Sequence, residues 1–136
     1  MASHWQATSR LHDSRVRTTA QRLGDAAEAL VADRLVAAGW AILVRQIRVG
    51  RAEIDLVAID PGPPRTLVFI EVRWRARRDY GLAEETVDRA KRMRLRRAAF
   101  RLIDDPGRLE LPRIPVRFDL IVVEPGDVVR HHRHGA

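Results

Sequence analysis

Apolar residues along the first third of the chain follow the spacing of an amphipathic helix. From about Thr19 to Ala38 they recur every three or four positions, and Arg34 alone interrupts the stripe. Thr18 followed three residues later by Gln21 is the signature of a capping box, and Gly39 is a typical helix stop. The pattern therefore predicts a helix from about Thr19 to Ala38.

Shorter apolar runs separated by turn residues predict three strands after this helix. They cover Trp40–Val49, Glu53–Ile59 and Leu67–Arg73. Gly50 and Arg51 form the first turn, and a proline-rich segment at positions 60–64 forms the second. Because the second turn is short, the second and third strands are predicted to be antiparallel neighbours.

A second helix and a last strand complete the predicted order. Apolar positions indicate a helix over about Glu84–Asp104, ended by Pro106 and Gly107, and a strand within Pro115–Glu124. The order α-β-β-β-α-β predicts an α/β fold with a mixed sheet and flanking helices. Residues 18–124 are predicted to form a single domain between a flexible N-terminal arm, residues 1–17, and a flexible C-terminal tail, residues 125–136.

Composition narrows the class of protein. Of the 136 residues, 46% are hydrophobic, which excludes disorder by composition. The chain has no cysteine, which excludes a disulfide framework and a thiolate metal site. No apolar run approaches the length of a membrane span, and the polar N-terminal stretch lacks the apolar segment of a secretory signal, so a cytoplasmic protein is expected. The net charge of +7 indicates a polyanionic partner.

Charged side chains within the apolar strands predict a functional site. Asp55 lies in the second strand, and Glu71 and Arg73 lie on one face of the third. Two neighbouring carboxylates can hold a hard divalent cation, and a cationic side chain beside them can bind a phosphate. Glu28, at the edge of the first helix's apolar stripe, can turn toward the sheet. The spacing fits a structural ion pair equally well, because strand-end carboxylates often pair with arginine.

The strand motifs resemble a known family. The segments Glu53–Ala58 and Val68–Arg73 are similar to those of the small bacterial YraN-like family, which has a nuclease-like fold related to Holliday-junction resolvases and the PD-(D/E)XK group. The resemblance implies a restriction-endonuclease-like core, with Asp55 and Glu71 as ligands of Mg²⁺ or Mn²⁺ and Glu28 as an acidic partner from the helix. It extends to Ala27-Glu28, Gly39-Trp40, Tyr80-Gly81, Lys91 and Arg117-Phe118-Asp119.

The chain departs from the family pattern at positions near the expected site. Arg73 stands where the family generally has a lysine, and arginine can clamp a phosphate but cannot act as a general base. Lys91 can reach the site from the second helix and replace the strand lysine. Ala27 and Ala52 stand at family glycines, and Gln46 stands at a family asparagine.

Basic residues dominate the second helix and the loop before it, which favours contact with a nucleic-acid backbone over the alternative of a solvated helix face. The residues expected to bind nucleic acid are Arg75, Arg77, Arg78, Lys91, Arg92, Arg94 and Arg97.

Three functions follow from these features. The first is a metal-dependent endonuclease with catalytic residues Glu28, Asp55, Glu71 and Arg73, and its expected partner is nucleic acid, DNA before RNA. The second is a nucleic-acid-binding module with an impaired nuclease site, and the third is an adaptor that binds an acidic protein. The resemblance leaves a homodimer open, and no membrane partner is expected.

Overall fold

The structure is a computed structural model that describes residues 17–76 and 82–136, with side chains described from residue 89 onward in the second range. Its elements are α1 (Thr19–Ala37), β1 (Ala41–Val49), β2 (Ala52–Asp60), β3 (Thr66–Trp74), α2 (Leu82–Ile103), β4 (Val116–Glu124) and β5 (Val128–His132).

The five strands form one mixed sheet in sequence order. β1 with β2, β2 with β3, and β4 with β5 pair antiparallel, while β3 and β4 pair parallel. A parallel pair needs a crossover connection, and α2 supplies it. The predicted α/β class with a mixed sheet is confirmed, and the architecture is consistent with a nuclease-like core.

The start of α1 has the predicted capping box. The side-chain oxygen of Thr18 accepts a hydrogen bond from the Gln21 backbone nitrogen at 3.1 Å, and the Gln21 side chain accepts one from the Thr18 nitrogen at 2.7 Å. The helix ends one residue earlier than predicted, and Gly39 follows with a φ of 93°. Arg34, which interrupts the apolar stripe, donates a hydrogen bond to the Asp127 carbonyl at 3.0 Å and so ties α1 to the β4–β5 turn.

The predicted flexible tail is wrong, because Val128–His132 forms β5 on the edge of the sheet. Gly126, with a φ of 81°, allows the tight turn after β4. His131 then reaches the buried Asp119, with 2.8 Å between Nε2 and Oδ2. The predicted N-terminal arm lies outside the described residues except for Arg17, which pairs with Asp25 at 2.5 Å.

Each helix covers one face of the sheet with its own apolar core. Val31 and Leu35 of α1 pack with side chains such as Ile70 and Ile121 on one face. Leu95 and Leu102 of α2 pack on the other face, with side chains such as Phe69 and Phe118. Within the described residues, no helix combines the length and apolar character that crossing a membrane requires.

Candidate functional site

The side chains of β2 switch between the two faces of the sheet at Asp55. In a regular strand, residues two apart share a face, yet Leu56 belongs to the core under α1 while Ile54 belongs to the core under α2. Opposite Asp55 in β1, Gln46 has a φ of 49°, in the left-handed region. Arg45 pairs with Leu56 and Ile47 pairs with Ile54, but the register between them omits Gln46 and Asp55. The irregularity places the Asp55 carboxylate where groups from both faces can approach it.

Asp55 and Glu71 meet across the β2–β3 pair, as the sequence predicts. The register that pairs Leu56 with Ile70 places Asp55 opposite Glu71 when continued by one residue. The Val72 backbone nitrogen donates a hydrogen bond to Asp55 Oδ2 at 2.8 Å, which fixes the carboxylate against β3. Both acids line a cavity of about 330 Å³, although Glu71 is only 6% exposed.

Two cationic side chains contact the same oxygen of Glu71. Arg73 NH2 lies 3.2 Å from Glu71 Oε1, and Lys91 Nζ lies 3.1 Å from it. The expectation that Glu71 and Arg73 share a face is confirmed, and so is the expected reach of Lys91 from α2. The structural ion pair that the sequence left open is therefore present at Glu71.

Glu28 approaches the site from α1. It is 9% exposed, and its Oε2 accepts a hydrogen bond from Gln46 Nε2 at 3.2 Å. The pKa of Glu28 is raised from 4.5 to about 7, mainly by burial; the negative charges of Asp55 and Glu53 add to the rise, and the hydrogen bond from Gln46 opposes it. Gln46, the residue of β1 with the left-handed φ, thus also orients Glu28.

The same physics acts on Asp55. Burial raises the pKa of Asp55 from 3.8 to about 6; the negative charge of Glu71 adds to the rise, while the Val72 hydrogen bond and the charge of Lys91 oppose it. The site therefore keeps two carboxyl groups, Glu28 and Asp55, that ionise close to neutral pH. Perturbed acids gathered in a cavity are a common feature of functional sites.

The carboxylate oxygens of the site suit a hard cation that also binds water or substrate oxygens. Asp55 and Glu71 supply carboxylate oxygens, and Mg²⁺ commonly binds one or two carboxylates together with waters and substrate phosphate. Among the side chains that the structure describes, those of residues 17–76 and 89–136, no group of three acidic, histidine or cysteine side chains that could hold a metal ion is found.

The predicted basic residues divide by position. Lys91 and Arg94 line the acidic cavity, whereas Arg92 and Arg97 are exposed on α2. Arg75 is half-buried after β3, and its backbone nitrogen donates to the Val123 carbonyl at 2.9 Å. Arg77 and Arg78 lie outside the described residues, as does the Tyr80-Gly81 pair.

Sequence reasoning missed two further residues of the cavity, Arg51 and Glu53. The spacing of Glu53 and Asp55 on one strand predicts that they project together, but Glu53 was not counted among the site residues. Arg51 belongs to the β1–β2 turn, and its adjacency to β2 was the available clue.

A separate charged cluster lies under α1 and neutralises itself. Arg117 donates to Asp119 through Nε at 2.8 Å and through NH2 at 2.9 Å, and NH2 also reaches Asp60 at 3.0 Å. Burial would raise the pKa of Asp119, but hydrogen bonds from His131, Arg117 and the backbone of His134 lower it to about 2. This cluster joins β2, β4 and β5 and is a structural network.

The fold and the acidic cavity define an α/β protein with a mixed five-stranded sheet, consistent with a nuclease-like core. Residues 27–123 match the uncharacterised protein family UPF0102, and the chain belongs to this family, the YraN family that the strand motifs resemble.

Three relatives illustrate the extent of the similarity. A UPF0102 protein of Symbiobacterium thermophilum is 42% identical over 106 residues, covering 78% of this chain and 85% of the relative. One from Moorella thermoacetica is 39% identical over 105 residues, covering 77% and 82%. One from Parafrankia is 40% identical over 120 residues, covering 85% and 96%. The family match itself runs from within α1 to near the end of β4.

Proposed function

We propose that this protein binds nucleic acid and hydrolyses a phosphodiester bond in it as a metal-dependent endonuclease. The observation that carries the proposal is the pair of carboxylates, Asp55 and Glu71, on adjacent strands in a cavity of about 330 Å³ that Lys91 and Arg94 also line. A cavity lined by both carboxylates and cationic side chains suits a substrate whose negative phosphate approaches through a bound metal ion.

Asp55 and Glu71 are the proposed ligands of Mg²⁺ or Mn²⁺. When bound, such an ion polarises a phosphoryl oxygen and lowers the pKa of a coordinated water. Their oxygens are of the type that these cations select. Burial is the largest cause of the raised pKa of Asp55, and a bound cation would favour its ionised form.

The remaining residues have roles that their chemistry allows. Glu28, with a pKa of about 7, can take a proton from the attacking water near neutral pH. Arg73 stays protonated, so it can bind a phosphate oxygen and stabilise the negative charge that develops there in the transition state. Lys91, whose Nζ lies 3.1 Å from Glu71 Oε1, brings an ammonium group to the site from α2 and can replace the strand lysine of the family.

The proposal is tested by cleavage of branched, duplex and single-stranded DNA and of RNA with Mg²⁺ and Mn²⁺. The wild type is expected to cut at least one of these substrates, and Asp55→Asn and Glu71→Gln are expected to abolish cutting while leaving the protein folded. Asp33→Asn, which removes an exposed acid of α1, is the matched control and should cut like the wild type. Absence of cutting by the wild type, or equal cutting by the site variants, would refute the nuclease activity.

One observation favours a second candidate, a nucleic-acid-binding module that does not cut. Arg73 and Lys91 both contact Glu71 Oε1, so a metal ion would compete with two cations for this carboxylate. Arg73→Lys separates the candidates. Cutting that appears only in this variant would indicate a lost catalytic lysine, whereas cutting by the wild type would show that arginine suffices.

A further inference from the structure

Three exposed arginines, Arg51, Arg94 and Arg101, gather around the β1–β2 turn beside the acidic cavity. Among the described residues, no carboxylate forms an ion pair with any of them. They differ in this from Arg73 and Lys91, whose charges are partly neutralised by Glu71. The three arginines therefore form a cluster of positive charge beside the cavity that no carboxylate of the described residues neutralises through an ion pair.

The geometry places the three side chains along one side of α2. Arg51 and Arg94 line the same cavity as Asp55. Arg101 lies against the turn, because its NH1 is 2.9 Å from the position that a Cβ on Gly50 would occupy. Gly50, with a φ of 60°, leaves room for this guanidinium directly before Arg51. The turn and the helix thus bring the three guanidinium groups together beside the acidic cavity.

The spacing along α2 matches a nucleic-acid backbone. Arg94 and Arg101 are seven residues apart, which is two helical turns and about 10 Å along the helix axis. At about 3.4 Å of rise per nucleotide in one strand, this distance spans about three phosphates. Like charges held together without acidic partners repel one another, and a polyanion removes that repulsion.

We infer that Arg51, Arg94 and Arg101 form a clamp for the backbone of one nucleic-acid strand and lead a phosphodiester toward Asp55 and Glu71. The inference rests on the proposed function and extends it with a binding path. The ligand chemistry is the phosphodiester backbone, which DNA and RNA share, so recognition by the clamp is independent of base sequence.

The test measures how salt weakens binding of a fluorescent single-stranded oligonucleotide, in EDTA so that nothing is cut, with DNA, RNA and duplex DNA in separate arms. For single strands each neutralised phosphate contributes about 0.7 to the slope of log affinity against log salt. The variant Arg51→Gln with Arg94→Gln and Arg101→Gln should therefore lower the slope by about 2. Over a fourfold rise in salt, the wild type should then lose about 20-fold more affinity than the variant.

The matched control removes three exposed arginines elsewhere, Arg22→Gln with Arg65→Gln and Arg113→Gln. Its slope should remain near that of the wild type. Each single clamp variant should lower the slope by about 0.7, which keeps the test valid if the triple variant does not fold. Equal slopes for the clamp and control variants would overturn the clamp.

The outcomes separate the clamp from the proposed function. If cutting depends on Asp55 but the clamp variants keep the salt dependence of the wild type, the clamp is refuted and the proposed nuclease activity stands. A lowered slope without any cutting would support the clamp within the binding module. A wild type that binds no nucleic acid would refute both. Asp55→Asn should bind with the slope of the wild type, because it leaves all three arginines intact.

Discussion

Replacing Glu28 by glutamine should stabilise the protein at alkaline pH. Glu28 is 9% exposed and contacts the Gln46 amide, while the negative charges of Asp55 and Glu53 lie nearby. An ionised carboxylate in this place is unfavourable, whereas a glutamine of the same shape can still accept the hydrogen bond from Gln46. The variant thus removes the charge with little change in packing.

The magnitude follows from the pKa of Glu28, which burial raises from 4.5 to about 7. Because the folded-state pKa is the higher one, the folded protein has no penalty below pH 4.5. Its stability falls as pH rises through the range from 4.5 to about 7, and the loss is complete above that range. At about 1.4 kcal/mol per pH unit, the full loss at pH 8 is about 3 kcal/mol. Glu28→Gln should recover this amount, roughly 10 °C in Tm.

The assay is urea unfolding of both proteins in EDTA at pH 4, 6 and 8. The gain in unfolding free energy should be largest at pH 8, intermediate at pH 6 and near zero at pH 4. Asp33→Asn removes an exposed acid from the same helix and should change stability by less than about 0.5 kcal/mol at each pH. A Glu28→Gln variant no more stable than the wild type at pH 8, or a gain that does not shrink with acid, would refute the reasoning.

Three further predictions concern the network, the core and the metal. Asp119→Asn should lower the unfolding free energy by about 3–5 kcal/mol in urea, because it leaves the buried Arg117 short of a charged partner; a loss under about 1 kcal/mol would contradict the network. Leu102→Ala, at a position 1% exposed under α2, should cost about 2–5 kcal/mol in the same assay, and Val36→Ala, 55% exposed, should cost far less. Mg²⁺ at 100 times its Kd should raise the unfolding free energy of the wild type by about 2.7 kcal/mol, and a similar rise in Glu71→Gln would exclude this residue as a ligand.

Most of the fold could be predicted because local signals agree with tertiary packing. The capping box of α1 and the short turns around β2 are local features, and the structure contains each of them. β5 was missed although the tight turn at Gly126, which joins it to β4 as a hairpin, is a local feature. Val128–His132 is polar at several positions, and His131 becomes favourable in a strand only through Asp119, twelve residues away.

The acidic site could be predicted in part for the same reason. The proximity of Asp55 and Glu71 follows from a short antiparallel connection, which a sequence reveals. The switch of the β2 side chains between faces at Asp55 cannot be read from the sequence. It depends on Gln46 adopting a φ of 49°, which glutamine rarely does without tertiary constraint. The approach of Glu28 depends on the same residue, because Gln46 orients its carboxyl group.

The two charged clusters of this sheet differ in a way that bears on function. Under α1, Arg117 satisfies Asp60 and Asp119 within the protein, and the pKa of Asp119 falls to about 2 accordingly. At the candidate site, neither Glu28 nor Asp55 forms an ion pair with a cationic side chain among the described residues, and burial raises both pKa values. Glu71 differs from these two acids, because Arg73 and Lys91 both pair with it. Arg51 and Arg94 line the same cavity as Asp55, and neither forms an ion pair with a carboxylate among the described residues. We propose that a cation bound beside Asp55 and the backbone of a nucleic acid neutralise these charges together.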